Sequence, residues 1–124
     1  MVKYLQLNDI GCYKRAFNIS NYAWKIVILW EWFAKRAIGA QFATAIDSIS
    51  ANIAEGFGRF HKKDKIHFYR ISFGSVMEAL DWNQKAYVRG LLSKEQHEYI
   101  LKELKVLPKE INLLVKFTRD KLQQ

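Results

Sequence analysis

The stretch from Asp47 to Arg59, Asp-Ser-Ile-Ser-Ala-Asn-Ile-Ala-Glu-Gly-Phe-Gly-Arg, restricts the fold of this chain more than any other. Ile46, Ile49 and Ile53 recur at three- and four-residue spacing, which places them on one side of a helix. Ala43, Ala51, Ala54 and Gly58 make a face without bulk, open to close approach by another helix. Ser48, Asn52 and Glu55 make a polar row at i, i+4 and i+7. Polar groups beside a core need partners, so this row, with Ser75 and Glu78 further on, is expected to form a structural hydrogen-bond network that ties two helices together and sets their register. Gly56 and Gly58 stand where a helix commonly ends.

The remainder of the chain agrees with a helical reading. Six glycines and one proline are too few for the tight turns of an all-β protein, and no window alternates apolar and polar residues. A length of 124 residues, half of them apolar, suits one domain that buries roughly two-thirds of its unfolded surface. Cys12 is the only cysteine, which excludes an internal disulfide and suggests a reducing compartment. The first residues lack the apolar stretch of a signal peptide, and the longest purely apolar run, Ile26 to Trp30, is far short of the roughly 20 residues that span a bilayer. A soluble, cytoplasmic protein is expected.

Helix signals divide the chain into four parts. A first helix is expected from Asn8 or Asp9, either of which could cap it, to Lys35 or Arg36. Its apolar residues fall on two sides, Tyr13, Phe17, Trp24, Val27 and Ile28 against Ile19, Ile26, Trp30 and Phe33. One side is left over as a candidate subunit interface. Ala37 to Ala40 reads as a short turn before a second helix, Ala40 to Glu55 or Gly56, with Phe42, Ala45, Ile46, Ile49 and Ile53 as its core. A third helix is expected from about Asp64 to Arg89, with Gly74 in its interior at a cost of about 1 kcal/mol unless it packs closely on the small face of the second helix. Gly90 ends it, and Ser93-Lys94-Glu95-Gln96 is a capping box for a fourth helix that runs to near Leu122. Pro108 is expected to kink or divide that helix. Four helices joined by short turns give an all-α, antiparallel up-down-up-down bundle in one domain, residues 1 to 124.

Charge is placed unevenly. The net charge is +8; residues 1 to 58 carry six basic and four acidic groups, and residues 59 to 124 carry fourteen and eight. The excess begins at Arg59. Such a field favours polyanions, nucleic acid before membrane, because the basic residues are not gathered opposite one apolar face. Arg59, Lys62, Lys63, Lys65 and Arg70 are the candidate phosphate contacts, with Phe60 and His61 as possible stacking rings; Lys14 and Arg15 form a weaker second patch. No catalytic constellation accompanies Glu55 and Glu78, since no nucleophile, oriented histidine or glycine-rich phosphate loop stands with them. His61, His67 and His97 with Cys12 lack the spacing of a metal site. A non-enzymatic protein without cofactor is expected.

Ser48-Ile49, Asn52-Ile53-Ala54-Glu55-Gly56 and Gly58-Arg59, followed by Phe68, the Gly74-Ser75 pair, Glu78 and the Gly90-Leu91-Leu92-Ser93 turn, resemble the four-helix-bundle proteins encoded in intervening sequences of bacterial 23S ribosomal RNA genes. These are also labelled ribosomal-protein-like and are similar to the accessory variability proteins of diversity-generating retroelements. The resemblance runs from Tyr13-Lys14-Arg15-Ala16 to about Phe117. It implies a basic bundle that assembles with itself, typically as a homopentameric ring, without catalysis and with nucleic-acid binding. For the retroelement relatives it also implies contact with a reverse transcriptase, and a scaffold for such an enzyme is the alternative function. Pro108, and the aromatic first helix with Trp24, Trp30 and Trp32, depart from the family pattern.

Overall fold

The computed structural model describes residues 5–121 and contains four long helices, with no strand among the described residues. Leu122, expected near the end of the last helix, lies outside them. After a single 3-10 turn, Leu7–Asp9, the helices are α1 (Gly11–Val27), α2 (Ala40–Gly58), α3 (Lys62–Val88) and α4 (Lys94–Lys121). A short helical turn, Trp32–Ala34, and a π-helical segment, Lys35–Gly39, lead without a break into α2. Helix α1 packs on α2 and α4, α2 on α3, and α3 on α4.

The apolar stripe of the opening motif is the centre of the core. Phe42, Ile46, Ile49 and Ile53 are completely buried, as are Ile19 of α1, Val76 of α3 and Ile100, Leu104, Leu107 and Ile111 of α4. Each such side chain stabilises the fold by about 1.5–3 kcal/mol relative to exposure.

The first helix is shorter than its periodicity predicts. It ends at Val27, and neither Asn8 nor Asp9 caps it; Asp9 instead accepts a hydrogen bond from the backbone of Gln6 at 2.8 Å. The chain turns at Ile28 to Trp30 and restarts on Glu31, whose carboxylate caps the new helix by accepting from the backbone N–H groups of Phe33 (3.1 Å) and Ala34 (2.8 Å). This turn swings Trp30 into the core, where its ring stacks on Phe42 at 6.2 Å. Gly39 admits it: a Cβ there would stand 2.9 Å from Val27 and 3.3 Å from Trp30. The expected turn at Ala37 to Ala40 is therefore helical. A glutamate used as an N-cap leaves the hydrophobic period uninterrupted, which is why spacing alone carries the helix past it.

The other boundaries follow their local chemistry. Gly90, at φ +77°, closes α3 in the left-handed conformation, and the N–H of Leu91 donates back to Ala86 at 2.9 Å. Ser93 and Gln96 form the reciprocal capping box at 3.0 and 2.9 Å. Pro108 does not divide α4, which continues through it. Gly74 corrects another expectation: it faces outward, and an added Cβ would meet nothing within 4 Å. The close approach between α2 and α3 lies at Gly56 instead, where a Cβ would stand 2.7 Å from the ring of Tyr69.

Candidate nucleic-acid interface

The cations between Arg59 and Arg70 are brought together at the junction of α2 and α3, but most of them are engaged. Arg59 donates to Glu55 at 2.8 Å and lies 4.6 Å above the ring of Phe68. Lys65 turns back to the end of α2, donating to the carbonyl of Phe57 at 2.7 Å. There it satisfies a helix-terminal acceptor and faces the negative end of the helix dipole. Partial burial lowers the pKa of this amine. Lys62 donates to the carbonyl of Arg119 at 2.9 Å, which ties the start of α3 to the end of α4. Lys63 and Arg70 are exposed, and neither has an ion pair or hydrogen bond among the described residues. Arg70 stands at the rim of a shallow groove of about 180 Å³ with Phe73, Ile111, Asn112 and Val115. Phe60 projects into solvent, 82% exposed, with His61 edge-on at 5.1 Å.

The second patch divides in the same way. Lys14 is exposed, whereas Arg15 is half-buried and engaged by ion pairs. Its guanidinium grips two carboxylates of α4, Glu103 at 2.7 Å and Glu110 at 2.9 Å. The hydrogen bond to Glu110 is the main reason its pKa is raised further.

The expected polar network does not form. Ser48 donates to the carbonyl of Thr44, Asn52 to that of Ser48 and Ser75 to that of Ile71. Glu55 pairs with Arg59, and Glu78 accepts from the indole of Trp82. None of these bonds reaches another helix, because the residues lie toward the surface, where a carbonyl or side chain about one turn away is the easier partner. The buried tie between α2 and α3 is Ser72, whose hydroxyl donates to the carbonyl of Ile49 at 2.8 Å. Among the described residues, no group of three or more His, Cys, Asp and Glu could hold a metal ion, and no helix is long and apolar enough to cross a membrane.

A basic surface missed by the charge-density argument runs along α4. Lys102, Lys105, Lys109 and Lys116 recur at spacings of three, four and seven residues, which puts them on one side of the helix with Asn112 and Arg119. All six are exposed, and none of the four lysines has an ion pair or hydrogen bond among the described residues. Arg119 lies against Asp120 at 3.2 Å. The acids at helical spacing from the row, Glu98 and Asp120, lie nearest Lys94 (4.0 Å) and Arg119 (3.2 Å), while Glu103 and Glu110, on another side of α4, are held by Arg15. Lys62 at Arg119 and Arg70 at Asn112 join the row to the N-terminal part of α3. From Lys102 to Arg119 the row extends about 25 Å at 1.5 Å per residue.

The family model described as 23S rRNA-intervening sequence protein matches residues 8–113. Among solved structures, the chain resembles a protein of unknown function from the S23 ribosomal protein family of Bacteroides thetaiotaomicron VPI-5482, with a TM-score of 0.70 and 20% identity over 85% of this chain and 98% of that one. At that identity the likeness speaks for the fold. No curated protein matches the chain.

Proposed function

This chain belongs to the 23S rRNA-intervening sequence protein family, and from that premise we propose that it is a non-enzymatic, basic homo-oligomer that binds RNA or DNA through phosphate contacts in the cytoplasm. The observation that carries the reading is the lysine row of α4. Four unpaired ammonium groups on one side of a rigid helix repel one another, and a polyanion relieves that repulsion by exchanging its condensed counterions for them. Lys63 and Arg70 extend the same surface.

The assembly we propose is a ring of five up-down-up-down bundles. Supporting it are the large apolar side chains left uncovered where α1 gives way to α2, with Leu29, Trp32 and Phe33 each about two-thirds exposed or more. A ring presents each lysine row five times and turns weak phosphate contacts into avidity.

A salt titration of oligonucleotide binding tests the phosphate reading. Affinity is expected to fall linearly on logarithmic axes as salt rises; binding that is undetectable at low salt, or indifferent to salt, sinks it and leaves the protein-scaffold alternative. Light scattering after gel filtration tests the assembly, and a stable monomer at micromolar concentration removes it.

A further inference from the structure

Helix α1 contains no carboxylate: between Gly11 and Val27 stand Lys14, Arg15 and Lys25, and no Asp or Glu. Arg15 is turned to α4 and neutralised there, while Lys14 and Lys25 remain on the exposed side. On that side the helix also carries two large rings, Phe17 at 48% exposure and Trp24 at 55%. Tyr13 leans on Phe17 with 5.9 Å between ring centroids. Asn18 and Asn21, both exposed, lie between these groups. The core does not need the rings, since Ala16, Ile19, Ala23 and Val27 fill the inward face.

Phe17 and Trp24 stand seven positions apart. That spacing aligns them on one face, about 10 Å apart along the axis, with ammonium groups beside both. Aromatic faces alternating with cations and amides match a strand whose bases are unpaired: each base offers a π-face to a ring and each phosphate a charge to a lysine. A duplex keeps its base faces stacked on one another. A second copy of this chain would bring another +8 against Lys14 and Lys25, so charge favours the polyanion.

We infer that the exposed face of α1 is a base-stacking surface for single-stranded nucleic acid. Unpaired bases lie on Phe17 and Trp24, Lys14 and Lys25 meet the flanking phosphates, and Asn18 and Asn21 reach base edges. The inference rests on the phosphate-binding reading and adds the class of ligand: a strand with accessible bases.

The test compares the full chain with its Phe17→Ala/Trp24→Ala variant on three labelled ligands, followed by fluorescence anisotropy across a salt series. The ligands are a short unpaired oligonucleotide, the same strand with abasic sites, and a duplex of equal length. Loss of two rings is expected to weaken the unpaired strand at least about 20-fold, while abasic and duplex binding change less than about twofold and the salt slope is kept. The conservative pair Phe17→Tyr/Trp24→Phe retains single-strand affinity. Equal loss on all three ligands, no loss on any, or a fall in assembly mass by light scattering overturns the inference; the last outcome identifies the face as a contact between copies. Wild-type protein that binds none of the three at low salt fails the phosphate reading itself, an outcome distinct from intact binding that ignores the rings.

Discussion

The turn from Arg59 to Lys65 and the outer row of α4 are both rich in cations, but they differ in what their charges are doing. In the turn, three of the four cations are engaged, Arg59 on Glu55 and Phe68, Lys65 on the last carbonyls of α2 and Lys62 on the carbonyl of Arg119, and Lys63 alone is left exposed without an ion pair or hydrogen bond among the described residues. Along α4, Lys102, Lys105, Lys109 and Lys116 are spread over many residues in sequence, yet they stand together on one side, and the acids at helical spacing from them, Glu98 and Asp120, lie nearest Lys94 and Arg119. Density of charge along a chain therefore does not measure the charge available to a ligand. Availability depends on where each carboxylate and each helix terminus finds its own partner.

The largest effect that could break this contrast comes from replacing Lys102, Lys105, Lys109 and Lys116 together by glutamine. Nucleic-acid affinity at moderate salt is expected to fall on the order of a thousandfold, and the logarithmic salt slope to flatten by about three. Arg59→Ala with Lys65→Ala should change binding less than about threefold and act on stability instead; the reverse ranking would return the function to the turn.

Alkaline titration sets the window in which the two regions can be compared. Burial pushes the Cys12 thiol up to about 11 and the Tyr69 hydroxyl up to about 12, with Glu110 adding to the first shift and Cys12 to the second. Both values are raised, so this stability is fully present below the ordinary values of 9 and 10 and is lost as pH climbs through 11 to 12. Each group contributes about 2–3 kcal/mol. Cys12→Ala should remove the earlier part of the loss, as followed by circular dichroism.

Arg15→Ala tests whether that residue is structural. A destabilisation of about 1–2 kcal/mol is expected in thermal melts, because Glu103 and Glu110 lose a shared partner that is less than one-third exposed. Nucleic-acid binding should change little, since the two freed carboxylates lie on another side of α4 from the lysine row; a loss proportional to one phosphate contact would make Arg15 a ligand group after all. Lys65→Met should cost about 1 kcal/mol through the exposed end of α2, without altering the salt slope. The smallest effect belongs to Gly74→Ala, which is expected to stabilise an isolated bundle by about 0.5–1 kcal/mol because its Cβ enters open space. A loss of assembly mass in that variant would place α3 against a neighbouring copy.

Much of the fold was legible from local chemistry. The isoleucine stripe, the Ser93 capping box and the Gly90 stop depend on residues within a few positions of one another, and each stands where its spacing predicts. The candidate site was legible only in part. Lys63, Arg70 and Lys14 are exposed as expected, but Arg15, Lys62 and Lys65 are claimed by acceptors remote in sequence, from eight residues away for Lys65 to ninety-five for Arg15. The polar row beginning at Ser48 shows the opposite case, with bonds that stay within four residues. A serine at helical spacing looks alike whether its hydroxyl meets its own carbonyls or another helix, and only the packing of α2 on α3 gives that role to Ser72.

Sequence alone therefore determined the class of the molecule, its family, its central helix and its positive charge, because these rest on composition, periodicity and short-range caps. Tertiary structure decided which cations remain available. A helix presents charge in all directions, and whether a lysine or arginine faces solvent, a carboxylate or the end of another helix depends on how four helices are rotated against one another. That rotation turns Glu103 and Glu110 toward Arg15, leaves Lys102, Lys105, Lys109 and Lys116 unpaired, and puts Phe17 and Trp24 outside the core.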